Sequence, residues 1–298
     1  MIALDRAPRA RTARRLSTLA ALAVVLVATT LTGCVSSTVR AGVTMEEDPG
    51  LANHTIFRPT ELDDVDDPMP VVLWGEGGCI APGGTYANFL SEIANEGYLV
   101  IADLPIASPG FDTPDILLEG ATWAIAENTR PGSKYFGRLD TTKIAAMGQS
   151  CGGLLALHAG TDPRISTVVA WNSGIFDIGG LGGASKDDLA NLQGPTMWVN
   201  SGPLDIAYPQ AEKDFNDPRT TVPAVWANLD LSDRGGSVLG AHLATFFEPK
   251  GGAFTPVAIA WLDFQLKGDR KARKQFLGPC HLCDQPGWTV QTKNWDRD

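Results

Sequence analysis

The sequence predicts an α/β domain, a mostly parallel β-sheet covered by helices on both faces. Three observations predict it. Short, continuous apolar runs alternate with segments whose apolar residues recur at helical spacing. Those runs lack a polar alternation, as strands buried on both faces should. The chain has 298 residues, 44% hydrophobic and 19% charged, an ordinary globular composition long enough to enclose such a sheet.

Residues 1–33 stand apart. Arg6, Arg9, Arg11, Arg14 and Arg15 face Asp5 alone, and residues 16–31 then run without a charge. That stretch is too short and wrongly flanked for a spanning helix, and it reads as a signal peptide. It ends Leu31-Thr32-Gly33-Cys34, which resembles the lipobox of bacterial lipoproteins. The resemblance implies cleavage before Cys34, a lipid on its thiol, and an exported protein held to the cell membrane by that anchor alone. Residues 34–52 are expected to be a tether and 53–298 a single folded domain. The net charge of −10 argues against nucleic acid as a partner.

Within the domain, residues 70–74 (PVVLW), 98–102 (YLVIA), 143–147 (KIAAM), 167–171 (TVVAW), 195–200 (PTMWVN) and 222–229 (VPAVWANL) read as strands. Tyr86, Phe89, Leu90 and Ile93 lie on one face of a helix that Gly97 is placed to end. Val257, Ala260, Trp261 and Phe264 repeat the spacing. The acidic run Asp63-Asp64-Val65-Asp66-Asp67 reads as a solvated turn, without the spacing of a calcium loop.

The chemistry centres on Gly148-Gln149-Ser150-Cys151-Gly152, a G-x-S-x-G sequence. A strand pattern runs into it and a helix pattern, residues 154–159, runs out. That setting is a nucleophile elbow: a sharp turn holding the serine hydroxyl at the head of a helix. The N–H of Cys151 would face an oxyanion forming beside Ser150. A serine needs a base. His54 precedes the predicted sheet, and His158 lies two turns up the helix from Ser150. His242, in a glycine-rich loop after the last predicted strand, fits the chain order Ser … Asp … His; His281 is the residual candidate. Asp205, after residues 195–200, is the expected acid, with Asp177 its rival. The loop Gly75-Glu76-Gly77-Gly78-Cys79 would supply a second oxyanion N–H, from Gly78.

With these residues assembled, the chain resembles an α/β-hydrolase. It is similar to bacterial polyester hydrolases, cutinase-like lipases and platelet-activating-factor acetylhydrolase-type esterases. The stretches PVVLWGEGG, LSEIANEGYLVIA, KYFGRLDTTKIAAMGQSCGG, GPTMWVNSGPLDIAYP and AIAWLDFQLKGDRKARKQFLGPC carry the likeness over most of residues 70–283. The resemblance implies an esterase with Ser150 as nucleophile, Asp205 as acid, His242 as base, and Gly78 and Cys151 as oxyanion donors. It implies a small or lipid-like ester substrate and no cofactor, and it puts Gln149 and Phe176 at the substrate site. The departures are Gln149 for His or Trp, Cys151 for Met, Gly78 for an aromatic, and Phe176 for a stacking Trp. The same three residues would also serve an acyltransferase, a peptidase or an idle surface binding protein.

With Cys34 lipidated, four cysteines remain. Export favours disulfides. Cys280 and Cys283 can pair locally, which leaves Cys79 with Cys151. In this fold the oxyanion loop and the elbow sit on neighbouring strand ends, so that bridge would hold both N–H donors beside Ser150. Cys280-His281-x-Cys283 has no second ligand pair, so no metal site is expected.

Overall fold

The computed structural model describes residues 39–232 and 237–295. The expected signal peptide, the lipobox with Cys34, and Gly235 and Gly236 of the glycine-rich loop lie outside the described residues. Nine strands form one sheet in the order β1-β2-β4-β3-β5-β6-β7-β8-β9. They are β1 Val43–Asp48, β2 Leu51–Pro59, β3 Met69–Gly75, β4 Leu99–Asp103, β5 Leu139–Gln149, β6 Ile165–Trp171, β7 Thr196–Asn200, β8 Ala224–Leu229 and β9 Trp288–Lys293. The six from β4 to β8 are mutually parallel; β1, β2 and β9 extend the edges antiparallel.

All six predicted strands are present, because each is an apolar run buried on both faces. Alternate residues of β3 serve the two layers. Val72 and Trp74 pack beneath helices α1 (Ala87–Asn95) and α6 (Phe254–Leu266). Val71 and Leu73 pack beneath α2 (Ile116–Thr129), α3 (Cys151–Ala159) and α4 (Tyr208–Asn216). The predicted face of α1 is the buried one, and Gly97 follows α1 with φ +81°; of the face predicted for α6, Val257 and Trp261 are buried, whereas Ala260 and Phe264 are only partly covered.

Two expectations need correction. The segment expected to be a tether forms β1 and the start of β2, so the fold begins ten residues earlier, at Val43. His54 does not precede the sheet; it lies on β2 opposite Asp103, with its two ring nitrogens 2.8 Å from the Ala52 carbonyl and 3.0 Å from that of Ile116. The β1–β2 hairpin escaped notice because neither strand is a continuous apolar run: β1 is the polar edge strand, and β2, though paired on both sides, carries exposed Ala52 and Asn53 and the polar His54 and Thr55.

The two ends of the parallel strands differ. At the amino ends lies an open hollow of about 860 Å³, bordered by Gly42, Pro59, Pro70, Asp140 and the exposed acidic turn at residues 63–67. The carboxyl ends carry Ser150, Asp205 and, after β8, His242. Among the described residues no helix is long and apolar enough to cross a membrane.

Candidate active site

Ser150 sits between β5 and α3 with φ 56° and ψ −118°, backbone angles that an L-residue adopts only under constraint. Glycines make the turn fit. Gly75 of β3 pairs with Gly148 of β5, and a Cβ on Gly148 or Gly152 would run into the opposing backbone. Ser150 N–H donates to the Trp171 carbonyl at 2.9 Å, and Ser173 Oγ donates to the Ser150 carbonyl at 2.6 Å.

His242 is on the short helix α5 (Val238–Leu243) and is 2% exposed. Its Nε2 is 2.8 Å from Ser150 Oγ and its Nδ1 is 2.7 Å from Asp205 Oδ1. A carboxylate accepts only, so Nδ1 carries the proton and Nε2 presents its lone pair to the serine hydroxyl. Asp205 is equally buried but well supplied. Its Oδ1 also accepts from Ala207 N–H at 3.0 Å, and its Oδ2 accepts from Asn172 Nδ2 at 2.8 Å and Asn200 Nδ2 at 3.1 Å. Burial pushes the Asp205 carboxyl up, but the hydrogen bond and charge of His242, with those amides, outweigh it and hold the group below the usual aspartate range.

The rival residues are elsewhere. Asp177 is exposed and pairs with Lys213 at 2.9 Å. His158 is 3.2 Å from Asp188. His281 is exposed in the loop closed by the Cys280–Cys283 disulfide.

The second expected disulfide is also present. Cys79 and Cys151, with Cα atoms 5.3 Å apart, join the loop after β3 to the first residue of α3. As that first residue, Cys151 has no intrahelical acceptor for its N–H. Gly78, one residue before the bridge, has φ 71°. Phe176 borders the cavity beside Ser150. Gln149 does not, contrary to expectation. It is 1% exposed, and both ends of its amide are engaged: Oε1 accepts from Tyr86 Oη at 2.7 Å and Nε2 donates to the His242 carbonyl at 2.9 Å. A residue one step before the elbow on a two-sided strand points into a layer of the core, so Gln149 braces the histidine loop instead of meeting a ligand.

Sequence reasoning missed Asn172 and Asn200, although each stands at a predicted strand's carboxyl end, where a parallel sheet places its ligand-facing residues. It also missed a group of acids behind the Gly77–Cys79 loop. Glu76 and Asp103 are fully buried, and Asp112 is half-buried beside them. The Glu76 N–H donates to Asp103 Oδ1 at 3.0 Å, but both Glu76 carboxyl oxygens have no partner among the described residues. Burial, then the charges of Asp103 and Asp112, drive the Glu76 carboxyl upward; burial, then Asp112, does the same to Asp103. Burial lifts Asp112 to about 6. Among the described residues no group of three or more histidine, cysteine or carboxylate side chains is disposed to hold a metal ion.

The arrangement can therefore take a proton from Ser150 and hold the resulting imidazolium against an ionised carboxylate. No protein-family model matches the chain, and no curated protein matches it in sequence.

Proposed function

We propose that the chain is a serine hydrolase of the α/β-hydrolase fold that cleaves carboxylic esters through an acyl-serine intermediate. The observation that carries this reading is the unbroken hydrogen-bond relay Asp205–His242–Ser150 at a strained strand-to-helix turn. The chain order Ser … Asp … His and the pairing of an elbow with a glycine-bearing loop after β3 support the fold assignment.

His242 Nε2 accepts the proton of Ser150 as Oγ bonds to the ester carbonyl carbon. The N–H groups of Cys151 and Gly78 stabilise the negative carbonyl oxygen, and the Cys79–Cys151 bridge keeps the two donors in register. The tetrahedral species then collapses, the carbon–alkoxide bond breaks, and His242 returns its proton to the departing alcohol. Water attacks the acyl-serine by the same route, freeing the acid and restoring Ser150. The signal peptide and lipobox pattern support export and anchoring through Cys34.

A fluorophosphonate probe and a series of simple esters test the reading. The wild-type protein is expected to label on Ser150 and to release acid, and Ser150→Ala to lose labelling and lower turnover by at least about 10⁴-fold with its circular dichroism unchanged. A folded wild-type protein that neither labels nor hydrolyses any of the series would overturn it.

A further inference from the structure

Two of the apolar residues that border the cavity beside Ser150, Phe176 and Leu181, come from one loop, which runs from β6 to a short helix at Lys186–Ala190. Its middle, Ile178-Gly179-Gly180-Leu181-Gly182-Gly183, has no polar side chain with which to fasten itself. The loop's backbone hydrogen bonds close within it. Gly179 N–H donates to the Phe176 carbonyl at 2.9 Å, Gly180 N–H to that of Ala184 at 2.9 Å, and Ala184 N–H to that of Leu181 at 3.2 Å. The tip lies on the head of α3, where a Cβ on Gly182 would stand 3.0 Å from Leu154 Cβ and 3.2 Å from the Cys151 carbonyl. Ile178, beside it, is 90% exposed, so little holds the tip from outside.

The fastening is at the two ends, and one carboxyl makes both. Asp214, on α4 and fully buried, accepts at Oδ2 from the N–H of Ile175, the residue before Phe176, at 2.6 Å. Its Oδ1 accepts from Lys186 Nζ, where the loop ends. Gly174 lies against the same helix, its α-carbon so near that a Cβ would fall 2.3 Å from Ala211 N. The remaining link to α4, Asp177 with Lys213 at 2.9 Å, is exposed on both sides, and such pairs hold weakly in water. Both partners of the Asp214 carboxyl lie outside the Asp205–His242–Ser150 relay, so its loss acts on the loop and leaves the proton transfer alone. We propose that Asp214 is a positioning residue for the substrate: by tying down both ends of the loop it sets Phe176 and Leu181 as an apolar wall against which the ester lies. The proposal rests on Ser150 being the nucleophile.

The test is steady-state hydrolysis of 4-nitrophenyl butanoate at pH 8. Burial lifts the Asp214 carboxyl to about 6 against the opposing pull of Lys186 and the Ile175 N–H, so it is ionised there. Asp214→Ala is expected to raise KM at least about threefold with kcat within about threefold, the mark of lost binding rather than lost chemistry. Phe176→Ala/Leu181→Ala, which strips the wall itself, is expected to raise KM at least as much. Adding Asp214→Ala to that pair should raise KM by less than about twofold more, because changes that act through one contact do not add. Amide hydrogen exchange at residues 176–185 is expected to quicken at least about tenfold in Asp214→Ala and to stay unchanged in β5. Should Asp214→Ala not fold, Asp214→Asn, which keeps an acceptor for Ile175 N–H and loses the ion pair with Lys186, takes its place under the same criteria. KM unmoved in either the Asp214 or the wall variant, KM effects that multiply when combined, or unchanged exchange in the loop, with Ser150 still labelled by fluorophosphonate, would overturn this inference alone. Absence of both labelling and hydrolysis in the wild type would overturn it together with the proposed function.

Discussion

Two groups of buried carboxyls lie at the same end of the sheet and are treated in opposite ways. Asp205 is 1% exposed and accepts from four donors, one of them His242. Glu76, equally dry, accepts from none among the described residues, and its neighbours Asp103 and Asp112 add negative charge. Burial alone thus decides nothing about a carboxyl. Donors hold one below the usual aspartate range, where it can support a proton transfer; burial with few donors raises the others. The Gly77–Cys79 loop lies between the two groups. It starts beside Glu76, Asp112 N–H donates to its Cys79 carbonyl at 3.2 Å, and its cysteine is bonded to Cys151.

The largest expected effect separates the saturated acid from its rival. Asp205→Asn is expected to lower kcat by about 10⁴-fold, because the amide reverses the histidine tautomer, while Asp177→Asn stays within about twofold. Steady-state kinetics on any accepted ester checks the pair, and a damaging Asp177→Asn would break the assignment. Next comes the link between the groups. Replacing both Cys79 and Cys151 by alanine opens a loop with a sequence separation of 72. Roughly 4 kcal/mol of stability, in the chain-entropy account, should disappear from urea unfolding. The kcat should fall by about 10- to 100-fold, less than the loss of an oxyanion donor at its upper limit.

The smallest effect belongs to the starved group. Asp112 titrates near 6 in the fold, above its ordinary 3.8, so its favourable contribution is complete at low pH and is lost as pH rises through 6. Asp112→Asn removes the charge that causes the loss. Its Tm should match the wild type near pH 4 and exceed it by about 2–4 °C at pH 8. Equal melting curves at both pH values would show that the carboxyl is better solvated than its surroundings indicate.

What could be read in advance follows from how local each signal is. The six parallel strands and the elbow are contiguous in sequence, each with its own burial pattern or glycine spacing. His242 was reachable because four histidines are few enough to eliminate one by one. The hairpin β1–β2 and strand β9 were not, since none of these three strands is a continuous apolar run. Gln149 was misplaced because its partners, Tyr86 and His242, are distant in sequence. Asn172 and the Glu76–Asp103–Asp112 group have the same cause: their roles are set by neighbours brought together from several strand ends.

The direction in which the chain enters the sheet has one more consequence. Val43 pairs with Pro59 at the amino ends of the parallel strands, and the eleven residues of β5 climb about 35 Å, at ~3.3 Å each, to the turn that holds Ser150. From Cys34 to Val43 the chain reaches at most about 30 Å even when drawn straight. Whatever grips Cys34 therefore holds the molecule by its foot, on a leash shorter than the climb to its mouth. If a lipid is the grip, the mouth opens away from the bilayer, and the anchoring membrane is a mooring and not the surface that the mouth faces.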